Sequence, residues 1–404
     1  MFGNVRYNSI VPHFSPAASR TGLCALGLIA MEITAATPAG AQQSCVPAGE
    51  WSVPGAGRIA APEILARAAR AQVVLLGESH GNADHHRWEL QTMAALAALR
   101  PKVVLGFEMF PRRVQGELDR WVAGELSEQE FLKASDWSRV WGSATASYLP
   151  LFHFARLNRI PMIALNVERD FVQAVRAKGF DGVPAEKREG VSRPAPPGEA
   201  YLGRLFASYS EHPQAKGRAT ARSDLEFLRF VEAQLVWDRA MAQALADAAA
   251  RYPDALVIGI MGNAHVAHGD GVPYQLEQLG VKHVASLLPW NPNAGCDKLS
   301  AGLATAVFGL PAARPGDAPP RQRLGITVET ASDGVHVAAV EAGSIAEAAG
   351  LRVGDVLIEI AGTPVKVPAE VRAIVDSMVP GTWLPLKAER QREFVELTAK
   401  FPAR

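Results

Sequence analysis

Four short apolar runs, each ending in a residue with useful chemistry, constrain this chain more than any other feature. Val73-Val74-Leu75-Leu76 leads into Gly77-Glu78-Ser79-His80, and Val103-Val104-Leu105-Gly106-Phe107 leads into Glu108. Met162-Ile163-Ala164-Leu165 leads into Asn166, and Leu256-Val257-Ile258-Gly259-Ile260 is followed by Gly262-Asn263-Ala264-His265. Apolar, β-branched runs with little alternation read as strands buried on both faces, which means a parallel sheet between helices. In such open sheets, sites form outside the carboxyl ends of the strands. Glu78, His80, Glu108, Asn166 and His265 are therefore expected to share one rim.

Helical patterns separate the runs. Residues 84–99 have helical composition, with Asn82 as N-cap and Pro101 just beyond the end. The stretch from Pro111 to Arg159 is helical and rich in tryptophan, and a long helix is expected from about Ser223 to Ala250. The alternation predicts an α/β domain: a mostly parallel sheet flanked by helices, with a helical insertion standing over the rim. A chain of 404 residues that is 48% hydrophobic can fill such a core and a second domain. The formal net charge is zero and no long basic run occurs, so neither nucleic acid nor an anionic membrane is expected as the main partner.

The N-terminus reads as a leader rather than as fold. Arg6 and Arg20 precede an apolar stretch from Leu23 to Met31 and small residues ending Ala39-Gly40-Ala41, the layout of a secretory signal over residues 1–41. The apolar stretch is too short to span a bilayer comfortably. The expected location is the periplasm or cell envelope, with the chain soluble after cleavage. Cleavage after Ala41 leaves Cys45 and Cys296 as the only cysteines. An oxidising compartment favours a disulfide between them, and two free thiols are the alternative. Neither Cys24 nor Cys45 follows a lipobox pattern.

The α/β domain is assigned to residues 42–290 and a linker to 291–323, of which 311–323 is rich in Pro, Ala, Gly and Arg without periodicity. Residues 324–404 are short, strand-like and punctuated by glycine. Here Leu324-Gly325-Ile326-Thr327, Ala342-Gly343-Ser344-Ile345-Ala346-Glu347-Ala348-Ala349-Gly350-Leu351 and Val353-Gly354-Asp355-Val356-Leu357-Ile358 closely resemble a PDZ domain of the bacterial periplasmic kind. The resemblance implies a small β-rich domain that adds a peptide or protein C-terminus as a strand at a sheet edge. It implies that Leu324, Gly325, Ile326 and Thr327 form the carboxylate loop and edge strand, opposite a helix at about 369–377. A PDZ fold kept only for packing is the alternative.

At the rim, Glu78 and His80 suit metal binding or acid–base work, and Glu108 after an apolar strand has no evident structural need. His265 and His268 share a face if their segment is helical. His85 and His86 fall in the first turn of a helix and are expected to be partly solvated. Gln234 and Asp238, with Arg239, interrupt the apolar face of the long helix and require polar partners, either the pocket or an internal salt bridge.

The ordered set Leu75-Leu76-Gly77-Glu78-Ser79-His80, Gly106-Phe107-Glu108-Met109-Phe110, Pro161-Met162-Ile163-Ala164-Leu165-Asn166, Gln234-Leu235-Val236-Trp237-Asp238-Arg239 and Gly262-Asn263-Ala264-His265-Val266 resembles the ChaN family of haem-binding envelope proteins. That family belongs to a wider group with Tiki metalloproteases, TraB proteins and erythromycin esterases. The resemblance implies haem or another iron-containing small molecule as ligand, with tyrosine as an iron ligand. Candidates are Tyr148 and His153, near Trp137, Trp141 and Phe152, then Tyr201, Tyr209 and His212, with Asn166 and Asp238 beside the cofactor. The wider group implies an alternative, a metal-dependent hydrolase in which Glu78, His80 and His265 hold a divalent metal and Glu108 is ligand or base. The expectation is an exported haem- or iron-binding protein with a peptide-binding PDZ domain, working in iron uptake or at the envelope. Catalysis would rest on Glu78, His80, Glu108 and His265 if the chain is an enzyme. A homodimer is a further expected partner, and a PDZ scaffold without catalysis is a third reading.

Overall fold

A computed structural model describes residues 45–141, 145–211, 221–312, 322–331, 334–376 and 378–403. The leader assigned to residues 1–41 lies outside the described residues. Eight strands form the first sheet: β1 (Trp51–Val53), β2 (Gly57–Ile59), β3 (Val73–Glu78), β4 (Val103–Pro111), β5 (Met162–Asn166), β6 (Leu256–Gly262), β7 (Val284–Trp290) and β8 (Ala306–Gly309). Their order across the sheet is β2-β1-β8-β7-β3-β6-β4-β5. The six strands from β8 to β5 run parallel, and β1 and β2 close the opposite edge antiparallel.

The apolar runs take these positions because each residue has an apolar layer to enter. Val74, Leu76, Leu105, Phe107, Ile258 and Ile260 pack into one core, which the helices Ala83–Leu99, Gln115–Ala123 and Thr145–Leu157 cover. Val73, Leu75, Val104, Val257 and Met261 pack into the other, under the helix Leu225–Arg251. Successive strand residues point to opposite faces, so two apolar layers require a run apolar at every position. The helix Ala83–Leu99 starts where expected, with the Asn82 side chain accepting from the Asp84 N–H at 2.9 Å.

Two boundaries differ from the sequence expectation. The segment 291–312, assigned to a linker, belongs to the first domain: β8 pairs with β7 and β1, and Val307 and Leu310 are buried. Four residues are too short a run to announce themselves between Gly and Pro neighbours. Cys45 is bonded to Cys296 within this added part, with Cα atoms 5.6 Å apart. β4 also continues past Glu108 to Pro111, through an irregularity in its pairing with β5. Such bulges re-aim side chains beside functional sites.

The C-terminal sheet is antiparallel and contains β9 (Ile326–Ala331), β10 (Gly334–Val340), β11 (Val356–Ile360), β12 (Thr363–Pro364), β13 (Trp383–Arg390) and β14 (Glu393–Lys400). The order is β14-β13-β11-β10-β9, so β9 is an edge strand, and a helix spans Pro368–Asp376. Among the described residues no helix is long and apolar enough to cross a membrane.

Candidate functional site

The carboxyl ends of β3, β6, β4 and β5 are neighbours in the sheet, and their polar residues meet there. Glu78 ends β3, almost fully buried, and its Oε1 accepts from His80 Nδ1 at 2.5 Å and from the Tyr148 hydroxyl at 2.7 Å. The carboxylate acceptor places the imidazole proton on Nδ1 and leaves Nε2 without a hydrogen-bond partner among the described residues. The His80 side chain is 43% exposed, and its ring stands edge-on to Trp141 at 4.8 Å. Burial lowers the His80 pKa, but the bond to Glu78 and the nearby Glu108 carboxylate outweigh it and raise it overall.

A second arrangement repeats the first with other residues. Asp238, fully buried on the helix Leu225–Arg251, accepts from His265 Nδ1 at 2.6 Å and from the Tyr201 hydroxyl at 2.8 Å. Gln234 also lies 3.2 Å from His265 Nδ1. On the far side of the ring, His265 Nε2 is 3.7 Å from Glu108 Oε1, while Glu108 Oε2 accepts the Gly262 N–H at 2.7 Å. Burial lowers the His265 pKa, yet Glu108 and Asp238 overcome it and push it up to about 9. At neutral pH this imidazole is a cation clamped between two carboxylates.

Glycines allow the close approach. A Cβ on Gly262, which is in register with Glu78, would lie 3.1 Å from the His80 ring. Asn166 is spent locally: its amide donates to the Glu108 carbonyl and its Oδ1 accepts the Val167 N–H, so it holds the ends of β4 and β5 together. A cavity of about 250 Å³ opens between the two imidazoles, walled by Trp141, Trp237 and Met109, with Arg139 and Arg169 at its edge.

Several expected residues stand elsewhere. Tyr148 is fully buried and bonded to Glu78; burial and that carboxylate hold its phenol far above the ordinary value, which opposes phenolate ligation. Trp137, Phe152 and Tyr148 pack on one another as core rather than lining a cleft. His153 faces away, paired with Glu128 and against Trp121. Tyr209 is buried in a separate cluster with Phe227 and Phe230, and His212 lies outside the described residues. No described tyrosine lines the rim cavity. His268 has φ 66° and is exposed, so it shares no face with His265.

The expected metal set does not converge. Among the described residues the ligand atoms of Glu78, His86 and Glu89 lie within 4.8 Å of one another, whereas Glu78, His80 and His265 form no such group. His85 and His86, expected to be partly solvated, are both buried. His85 Nδ1 accepts the Ser79 N–H at 2.9 Å and its Nε2 lies 3.2 Å from Asn291 Oδ1, which makes it a positioning group for the β3 turn. Sequence reasoning passed over Glu89. Its signal was an acid at i on the apolar stripe Glu89, Met93, Leu96, where burial demands a partner.

In the C-terminal domain a groove of about 560 Å³ runs between β9 and the helix Pro368–Asp376. Leu324, Gly325, Ile326 and Thr327 line it, with Val371 and Val375 on the helical side. Gly325 has φ 79°, and a Cβ there would meet the Ser344 Cβ at 2.4 Å, so this turn requires glycine.

The chain thus joins an open α/β domain, with a polar rim at its strand ends, to a small antiparallel domain with an open edge groove. The profile of the family described as haem-binding uptake, Tiki superfamily, ChaN matches residues 64–276, more than half of the chain, and the chain belongs to that family. A PDZ domain profile matches residues 336–382. Among solved structures, one described as cofacial haem binding to ChaN of Campylobacter jejuni is similar at 16% identity, over 64% of this chain and 95% of that chain, with a TM-score of 0.49. A serine endoprotease from Yersinia pestis is 27% identical over 20% of this chain and 29% of its own, with a TM-score of 0.19. The HtrA3 PDZ domain bound to a phage-derived ligand is 20% identical over 20% of this chain and 83% of that chain, with a TM-score of 0.18. A search of curated proteins returns no match.

Proposed function

We propose that the rim cavity binds haem through His80 and that the PDZ groove binds a peptide C-terminus. Membership of the ChaN family supports the first part, and the observation that carries it is the state of His80. Its ring is half-exposed at the cavity, its Nδ1 is tied to Glu78, and its Nε2, unbonded among the described residues, could donate to a metal. Trp141, Trp237 and Met109 offer an apolar wall to a macrocycle, and Arg139 and Arg169 offer cations to its carboxylates. The cavity is smaller than the ~300–1,000 Å³ of sites that enclose a whole small molecule. It could therefore hold only part of a macrocycle. Bound haem would supply a redox-active iron; the residues of this chain would bind and orient it. Hydrolysis with His265 as base is disfavoured, because an imidazole held near pKa 9 is already protonated at neutral pH.

Haemin added at micromolar concentration should show a shifted, sharpened Soret band relative to free haemin, a shift that His80→Ala removes and Tyr148→Phe or Tyr209→Phe preserves. Absence of the shift, or its persistence in His80→Ala, would overturn this reading.

The PDZ part rests on β9, an edge strand beside the groove, with the Gly325 turn at its start. A peptide with a free C-terminal carboxylate should bind at least tenfold more tightly than its amidated form. Equal binding of the two would argue for a packing role. Export, and work in iron uptake at the cell envelope, belong to the same proposal. The Cys45–Cys296 bond supports them, because such bonds persist in oxidising compartments.

A further inference from the structure

The first turns of the helix Ala83–Leu99 carry a second cluster, on the interior side of Glu78. His86 and Glu89 are three apart and share a helix face. That face is turned inward: His86 is 2% exposed and Glu89 not at all. Glu78 spends Oε1 on His80 and Tyr148, which leaves Oε2 pointing inward, 3.2 Å from His86 Nε2. That pair is close but misaligned for a hydrogen bond. Among the described residues, Glu78 Oε2, both nitrogens of His86 and both oxygens of Glu89 have no hydrogen-bond partner. Each buried polar group left so carries an uncompensated desolvation penalty, and a charged carboxylate carries more.

We propose that Glu78, His86 and Glu89 bind one divalent first-row transition ion. The three ligand atoms lie within 4.8 Å of one another. Around an ion with bonds of about 2.1 Å, tetrahedral ligands stand about 3.4 Å apart, so a small inward movement brings these three donors onto three of the four positions. One imidazole and two carboxylates suit zinc, manganese, iron or cobalt. Calcium takes six to eight oxygens and magnesium keeps several waters, and a buried three-donor site with a nitrogen offers neither. The ion would tie the helix Ala83–Leu99 to the end of β3 and share Glu78 with His80. It is separate from the haem reading, which uses His80 Nε2 on the cavity side.

The test takes the full, tag-free chain, treats it with chelator, and then titrates zinc and manganese separately. Elemental analysis and thermal melting read the result, with no haemin present. One equivalent of at least one ion should bind and raise the melting temperature. Glu89→Gln and His86→Gln should each weaken binding at least tenfold, with folding checked by circular dichroism. His80→Ala should keep the ion here and, in a separate haemin titration, lose the haem response, which separates this site from the haem site. Glu89→Met fills the same volume without charge; a folded Glu89→Met chain that still binds one equivalent overturns the assignment. So does a wild-type chain that binds neither ion. Should the variants fail to fold, anomalous diffraction from wild-type crystals decides: a peak within bonding distance of all three side chains supports the site, and a metal located elsewhere overturns it.

Discussion

Tyr148–Glu78–His80 and Tyr201–Asp238–His265 are the same arrangement built twice. In each, a buried carboxylate accepts from a tyrosine hydroxyl and from a histidine Nδ1. What differs is the surroundings of the far nitrogen. The His80 side chain is 43% exposed and stands beside Trp141, whereas the His265 side chain is 9% exposed and faces Glu108. In the buried relay two carboxylates trap a cation. In the open one a single carboxylate orients an imidazole and leaves its outer nitrogen for a ligand. The same pair of donors on a buried carboxylate thus gives a structural ion cluster in one place and a candidate binding group in the other, because burial sets how strongly charge is felt.

The comparison breaks most visibly at Asp238. Asp238→Ala leaves the His265 cation buried beside Glu108 and the Tyr201 hydroxyl without its acceptor, and should cost about 3–5 kcal/mol in urea unfolding. A loss below about 1 kcal/mol would mean that His265 is neutral.

The next effect is on pH dependence. His265 holds its proton more tightly in the fold, at about 9 against an ordinary 6.5. Its stabilisation is therefore complete below about pH 6.5 and is lost as pH rises through about 9, on the order of 3 kcal/mol in all. Unfolding midpoints should fall between pH 7 and 9 in the wild type and stay flatter in His265→Gln. Parallel slopes would show that another group carries the effect.

His80 should give the smallest change. Half-exposed and screened by solvent, its pair with Glu78 contributes about 1 kcal/mol or less. His80→Ala should thus remain folded with a melting temperature close to wild type. If it destabilises the chain as much as Asp238→Ala does, the two relays are equivalent and the distinction drawn between them fails.

Much of the fold was legible because burial on two faces leaves a plain mark: β3, β4, β5 and β6 are apolar at nearly every position. Asn82 and Pro101 marked the ends of the first long helix for equally local reasons, a side-chain cap and a residue that cannot continue the ladder. The short strands β1, β2 and β8 were not legible. They are three or four residues long, and they pair with segments hundreds of residues away or across a bend that no local pattern announces. The aromatic residues between Pro111 and Arg159 misled for a related reason. Composition cannot distinguish a ligand cleft from a packed core, and here Trp137 and Phe152 form core.

The sequence by itself determined that polar residues sit at the carboxyl ends of four apolar strands, since strand polarity and hydrophobic length are local properties. The resemblance to a PDZ domain implied the turn at Gly325 and its place before an edge strand. Only the tertiary structure decided which carboxylate meets which imidazole. Asp238 reaches His265 from a helix 27 residues earlier, and Tyr148 reaches Glu78 across 70 residues. Glu89 turns inward toward the same carboxylate that His80 holds from outside. Those pairings depend on how helices lie across the sheet, and on which side of each residue water is excluded. That exclusion turns the four strand ends into one open imidazole, one trapped cation and one buried cluster of free lone pairs.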